Sequence, residues 1–212
     1  MQKLRLALEL KKLYLLQSLD YEFTDPIFLT QKSGFANSIH SQKELDFLIE
    51  KCELCPQRHS KPSRGICNPH SKIAFLSLEP LLDSNLRFSS NMAMMLHNII
   101  TKVFLLSLKE VSILSLLKCD IAIQNKENSL NLCMGFVHKQ LEFCNAKIIV
   151  ILGQEAYFAI SEDGEDYKRV QGKALKWKDF LLFPTFSLAE LIKKPSLKIQ
   201  AHKEFLNIKG YL

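Results

Sequence analysis

The segment AKIIVILGQEA, residues 146–156, sets five consecutive aliphatic residues, Ile148 to Leu152, between a lysine and a glycine. Such a run is long enough for a buried strand and too short for a helix. Gly153 ends it, and QEAYFAI then reads as helix. Three other runs share the form: KIAFLSL (72–78), VSILSLL (111–117) and DFLLFPTF (179–186). Between them lie the helical stretches NMAMMLHNIITKVF and SLNLCMGFVHKQLEFC. Strands alternating with helices imply a parallel sheet covered on both faces. The expected fold class is therefore α/β, a three-layer α/β/α domain with a central four-stranded parallel sheet. Sheets of this kind bind ligands beyond the carboxyl ends of their strands. The residues after Ser77, Leu117, Leu152 and Phe186 are thus the ones to watch.

Outward from this domain, expected over 51–212, residues 1–50 read as an N-terminal helical extension. Leucines at 4, 6, 8, 10, 13, 15 and 16 include helical spacings and suggest an amphipathic helix over about 1–19 that packs on the domain. Glu9, Lys11 and Lys12 interrupt any apolar run, so neither a signal peptide nor a membrane span is expected there. Ser41 with Glu44 three residues on forms a capping-box pattern, which predicts a second helix leading into Cys52. The extension and the 20–40 loop offer a surface for a protein partner. No membrane partner is expected.

The 212 residues are 47% hydrophobic, enough for a core that needs no disulfide staples. Six cysteines without a secretory signal point to a reducing, cytoplasmic compartment, where cysteines bind metal or lie buried more often than they form bridges. The net charge of +6 is uneven. From Lys168 onward ten basic residues face three acidic ones, while the rest of the chain is slightly acidic. A basic C-terminal third suits phosphate contact, although lysine-rich helices are often only solvated faces.

The loop KCELCPQRHSKPSRGICNPH, residues 51–70, concentrates three cysteines and two histidines. One ligand set is Cys52, Cys55, Cys67 and His70, whose spacing is close to a zinc ribbon and whose four N/S donors suit tetrahedral Zn²⁺. A second joins Cys52 and Cys55 to the distant Cys119 and Cys133, and four thiolates suit a [4Fe–4S] cluster. Cys119 follows a strand, at the sheet's ligand-bearing end. Cys133 also fits an apolar helix face with Leu130, Val137, Leu141 and Cys144, where a cysteine is ordinarily just buried. Spacing alone leaves zinc, cluster and no metal open.

The order of features from Cys52 onward resembles the family-4 uracil-DNA glycosylases, which carry a [4Fe–4S] cluster. That family shows C-x2-C, a strand ending G-E-x-P-G, a strand ending N-x-x-K-C, a second cysteine before a helix, L-G-x-x-A and P-T-x-H-P-S. Here stand CELC, AFLSLEP, RFSSNMAMML, SLLKC, NLCMGFVHKQLEFCNAKIIVILGQEA and FPTFSLAELIKKP. The resemblance covers roughly residues 50–208. It implies Cys52, Cys55, Cys119 and Cys133 as cluster ligands and leaves Cys67, Cys144, His59 and His70 outside the set.

The catalytic motifs depart from that pattern. The glutamate of G-E-x-P-G falls on Leu78, with Glu79 one residue off, and on a strand end one residue reverses the side chain's direction. The stacking aromatic falls on Phe88. The asparagine that reads the uracil amide falls on Ser115, which cannot present an amide's paired donor and acceptor. The histidine of H-P-S falls on Ser187, and His202 is too far along the chain to replace it. The family's Arg-Gly appears as Gln171-Gly172, with Arg169 nearby. By position, Lys193, Lys194 and Lys198 follow the family's DNA-facing loop. The expectation is an iron–sulfur protein of the DNA-repair class, associated with single-stranded or damaged duplex DNA, with weak or no uracil excision. Two alternatives are a zinc-stabilised interaction module on a degenerate α/β scaffold, and an active glycosylase on a different base.

Overall fold

A computed structural model describes residues 39–55, 58–122, 126–161 and 166–212, together with Lys11. The predicted helix over 1–19 and the 20–40 loop therefore lie, almost entirely, outside the described residues. The chain separates into two compact units, 1–35 and 36–212, and the α/β domain is the second.

Four strands form where aliphatic runs predict them: β1 (Ile73–Ser77), β2 (Val111–Ser115), β3 (Ile148–Leu152) and, last in the chain, β5 (Phe180–Thr185). The first three are buried at every position, as a strand covered on both faces must be. They pair in parallel, with Ile73 opposite both Val111 and Ile148, and Ile148 opposite Leu181. The sheet has five strands in the order β2-β1-β3-β5-β4, not the expected four. The addition is β4 (Leu175–Trp177), antiparallel to β5 at the edge. Its three residues are too few for a period, and the two-residue connection Lys178-Asp179 has neither glycine nor asparagine. Lys178 takes a φ of 53°, where glycine or asparagine is the usual signal.

Alternate strand residues feed two cores. Ile73, Phe75, Val111, Ile113, Val150 and Phe183 point to one face. There they meet α2 (Asn91–Asn98), which continues through a π-helical turn over Ile99–Phe104, and the final helices α6 (Leu188–Lys193) and α7 (Leu197–Lys209). Ala74, Leu76, Leu114, Ile149, Ile151 and Leu182 point the other way. They are covered by α3 (Lys126–Cys144), α4 (Gln154–Ile160) and α5 (Tyr167–Val170). The result is the expected three-layer α/β/α arrangement. The remaining helix, α1 (Gln42–Glu50), is capped as predicted: the Ser41 hydroxyl accepts from the Glu44 N–H, and the Glu44 carboxylate takes the His40 N–H. It buries Leu45 and Ile49 against Phe136 of α3.

The loop after α1 has little apolar content of its own. Its order comes from the open edge of β2. Ile66 and Ile113 exchange backbone hydrogen bonds of 2.8 and 2.7 Å, the His59 N–H reaches the Asp120 carbonyl at 2.8 Å, and the Ser63 N–H reaches the Lys118 carbonyl at 2.7 Å. An exposed strand edge is thereby covered. Gly65 makes the approach possible: its φ is +70°, and a Cβ there would lie 2.4 Å from the Ile113 carbonyl oxygen. No helix among the described residues is long and apolar enough to cross a membrane.

Candidate functional site

Two constructions meet at the carboxyl edge of the sheet. The first is a cavity of about 610 Å³ beyond the ends of β1, β3 and β5, where an α/β sheet places its ligands. Its wall combines Ser77 to Leu81 after β1, Leu152 to Ala156 after β3, and Ser187 to Glu190 after β5, with Met92, Lys126, Phe158 and Lys193 completing it. Gly153 turns the chain there with a φ of 107°. Of the predicted base-pocket positions, Leu78, Glu79 and Ser187 line this cavity, and Phe88 and Ser115 do not. Phe88 packs on the core and meets the His97 ring edge-on, centroids 5.2 Å apart. Ser115 is buried, and its carbonyl accepts from the Lys118 ammonium at 2.5 Å.

Ser187 serves the helix that follows it. Its hydroxyl accepts from the Glu190 N–H, while Glu190 Oε2 takes both the Ser187 N–H at 2.9 Å and the hydroxyl at 2.8 Å. This capping box fixes Glu190 at the cavity wall. Glu79 pairs across the wall with Lys126 at 2.5 Å, and that hydrogen bond raises the lysine's pKa. Glu190 and Lys126 escaped the sequence reading. The S-x-x-E pattern at 187–190 was a usable signal for the first. Lys126 carried none, because its partner lies 47 residues away. Gln171 and Gly172 stand apart from the cavity lining: the Gln171 amide donates to Glu204 at 3.2 Å, and Gly172 abuts the same side chain. Lys193, Lys194 and Lys198 are all exposed, and Lys193 reaches the cavity rim.

The second construction is made of thiols. Cys55, Cys119 and Cys133 are buried and Cys52 is half-buried. Cys55 and Cys119 share a small apolar cluster with Leu117 and Ile121, and the Cys55 thiol donates to Ser129 of α3 at 3.5 Å. Burial pushes the Cys119 thiol up to about 12, and the negative charge that Cys133, Cys52 and Cys55 would carry pushes the same way, against Arg58. Burial likewise raises Cys133, and Cys55 and Cys52 add to it, while the Lys118 backbone N–H and ammonium oppose. Among the described residues, no three His, Cys, Asp or Glu side chains close on a single metal ion. A four-iron cubane spreads its thiolates around a body larger than one ion. The donor chemistry fits it: cysteine thiols give up their protons readily to a multiply charged metal centre, and Cys55 and Cys119 lie in an apolar cluster.

The zinc-ribbon set is not assembled. Cys67 lies in the core between sheet and α3, where its thiol donates to the Gln140 carbonyl at 3.4 Å, and burial pushes it to about 12 with Cys144 as its nearest thiol influence. His70 is exposed on a turn, and so is His59 on its bend. Lys118, the lysine of SLLKC next to Cys119, is fully buried, and its ammonium donates to the Ser115 carbonyl and to Gln140 Oε1. Desolvation lowers its pKa to about 8, against the pull of Cys133, Cys67 and Cys119.

A family model, described as the uracil DNA glycosylase superfamily, matches residues 64–209. The chain belongs to that superfamily. Within it, the likeness is to the type-4 members. A type-4 uracil-DNA glycosylase of Sulfurisphaera tokodaii is 25% identical over 187 residues, covering 82% of this chain and 84% of the relative. The cavity wall holds Leu78 and Ser187 at the positions where the resemblance expects a glutamate and a histidine.

Proposed function

We propose that the protein is a uracil-DNA glycosylase-like DNA-repair protein that holds a [4Fe–4S] cluster on Cys52, Cys55, Cys119 and Cys133 and excises uracil weakly or not at all. A glycosylase flips a nucleotide out of the stack and reads the base edge in a pocket. It then stabilises negative charge on the departing base. The observation that carries the reading is the cavity's composition: the space for a flipped base is present, and the side chains that would do the chemistry are absent from it. Leu78 offers no carboxylate, the Ser187 hydroxyl is committed to Glu190, and Ser115 is not part of the lining. The cluster joins the loop after α1 to the loop after β2. Lys193, Lys194 and Lys198 contact phosphates of single-stranded or damaged DNA, in the cytoplasm, and the N-terminal extension takes a protein partner. A single-turnover assay on single-stranded and mismatched uracil DNA tests this, with release slower by orders of magnitude than a competent glycosylase.

One observation favours a second reading, an active glycosylase on a different base. Glu79 and Glu190 both line the cavity, and a carboxylate with a free lone pair accepts hydrogen bonds from exocyclic amino groups. Release of an amino-bearing base from single-stranded DNA, measured by chromatography of the free base, separates the two readings.

A further inference from the structure

Lys126 begins α3 and lines the cavity, as does Glu79 in the loop after β1. The Lys126 ammonium donates to Glu79 Oε1 at 2.5 Å. The lysine side chain is 29% exposed and the glutamate 45%, so the pair is neither sealed in the core nor loose in solvent. An ion pair this exposed contributes little to stability. The other lysine of the lining, Lys193, is exposed at the rim. Glu190, also in the wall, has its Oε2 taken by the Ser187 N–H and hydroxyl. Among the described lining residues, Lys126 and Glu79 alone join an amine directly to a carboxylate.

A lysine amine with a proton acceptor beside it attacks carbonyl carbons and forms imines. The carbonyl that DNA offers is the C1′ aldehyde of a ring-opened abasic sugar, the residue left once a base has been excised. Such a sugar brings no base, so the groups that Leu78 and Ser187 fail to supply for uracil release are not needed. We infer that the cavity takes an abasic site and that Lys126 cuts the strand there through an imine, with Glu79 carrying the protons. The inference rests on the DNA-repair reading and adds the reaction that consumes the product of base excision. It needs nothing from the metal centre. At rest the lysine is held charged, first by its hydrogen bond to Glu79 and then, against desolvation, by the charges of Glu79, Glu155 and Asp120. The reaction begins when the proton crosses to Glu79 Oε1. The neutral amine adds to C1′, and the hydroxyl formed there leaves as water with the Glu79 proton, which gives a protonated imine between Nζ and C1′ and an ionised Glu79. That carboxylate then removes a C2′ proton. The electron pair of the broken C–H bond expels the phosphate from C3′, so the strand breaks between a sugar unsaturated at C2′–C3′ and a free 5′-phosphate. Water hydrolyses the imine and returns Lys126.

The test uses the whole protein and a labelled single-stranded oligonucleotide with one abasic site. Sodium borohydride reduces the imine to a stable amine and so traps it. Wild type is compared with Lys126→Arg, which keeps a positive charge beside Glu79 but has no nucleophilic amine, and with Glu79→Gln. Circular dichroism checks the fold of each, and Lys126→Gln takes the place of the arginine variant if that one does not fold. The expected result is a covalent adduct that peptide mapping by mass spectrometry places on Lys126, and its loss in the Lys126 variant. Without borohydride the wild type cuts the strand, and Glu79→Gln slows the cutting by about a hundredfold or more. Cutting by Glu79→Gln at the wild-type rate overturns the role given to Glu79. Wild type that binds the abasic strand, read by fluorescence anisotropy, yet forms no adduct overturns the assignment and leaves the DNA-repair reading standing. An adduct that persists undiminished in the Lys126 variant does the same. Wild type that binds neither uracil-containing nor abasic DNA removes the DNA-repair reading itself, and the assignment with it.

Discussion

Gly153 and Ser187 stand so close that a Cβ built on the glycine would lie 2.8 Å from the serine Cβ. The contact joins the loops after β3 and β5 at the floor of the cavity, and it works only because residue 153 has no side chain. Its backbone, at φ 107° and ψ 156°, sits in a region essentially reserved for glycine.

Gly153→Ala is therefore expected to cost about 1–3 kcal/mol from the backbone alone, with a further penalty from the contact. Urea unfolding measures both. In a Ser187→Gly background the contact penalty disappears and the backbone penalty stays. Equal losses in the two backgrounds would show that the contact is relieved by a small shift of the loops.

The cavity's chemistry predicts flat mutational behaviour. Alanine at Leu78, Ser115 or Ser187 should change the rate of uracil release by less than the hundred- to thousandfold that removing one transition-state donor costs. Single-turnover rates on single-stranded uracil DNA provide the check. Efficient release by the wild type, abolished by one of these substitutions, would place working catalytic groups there. Ser187→Ala should still destabilise the fold by about 0.5–2 kcal/mol, because the N-cap of α6 is lost.

Much of the fold was legible in the sequence for reasons that can be named. The four long strands are aliphatic runs between polar breaks, and a buried parallel strand cannot look otherwise. β4 was not legible, because its residues are only partly buried or exposed and its turn uses Lys178 at a positive φ. The four cysteines were found through a resemblance, and spacing by itself did not separate them from Cys67. In the structure Cys67 packs in the core beneath α3, in a different apolar cluster from Cys55 and Cys119. Phe88 and Ser115 were placed at the base pocket by alignment, whereas packing takes both away from the cavity lining. Lys118 entered only as the lysine of SLLKC and Lys126 not at all, because a lysine's role depends on what it faces, and their partners come from α3 and the β1 loop.

The exposed lysines at the exit of β5 predict how DNA binding responds to salt. If Lys193, Lys194 and Lys198 each neutralise one phosphate, the triple alanine variant should lose up to about 2.7 from the slope of log affinity against log salt on duplex DNA, and about 2.1 on single strands. Fluorescence anisotropy at several salt concentrations gives the slope. An unchanged slope would move the phosphate contacts elsewhere on the basic surface.

Gly65 offers a separate test of how the cysteine-bearing loop is held. A side chain there would meet the Ile113 carbonyl oxygen at 2.4 Å, so Gly65→Ala should lift the loop from β2. Amide exchange at Ile66 and Ile113 should quicken while β3 stays protected. Unchanged exchange at both positions would mean the loop is fixed by other contacts.

Metal content of three proteins bears most directly on the centre. Wild type, Cys119→Ser and Cys67→Ser are prepared anaerobically and assayed for iron, sulfide and zinc. A cluster held by Cys52, Cys55, Cys119 and Cys133 predicts iron and sulfide in the wild type, retention in Cys67→Ser and loss in Cys119→Ser. Zinc in the wild type, lost from Cys67→Ser and kept by Cys119→Ser, would contradict it.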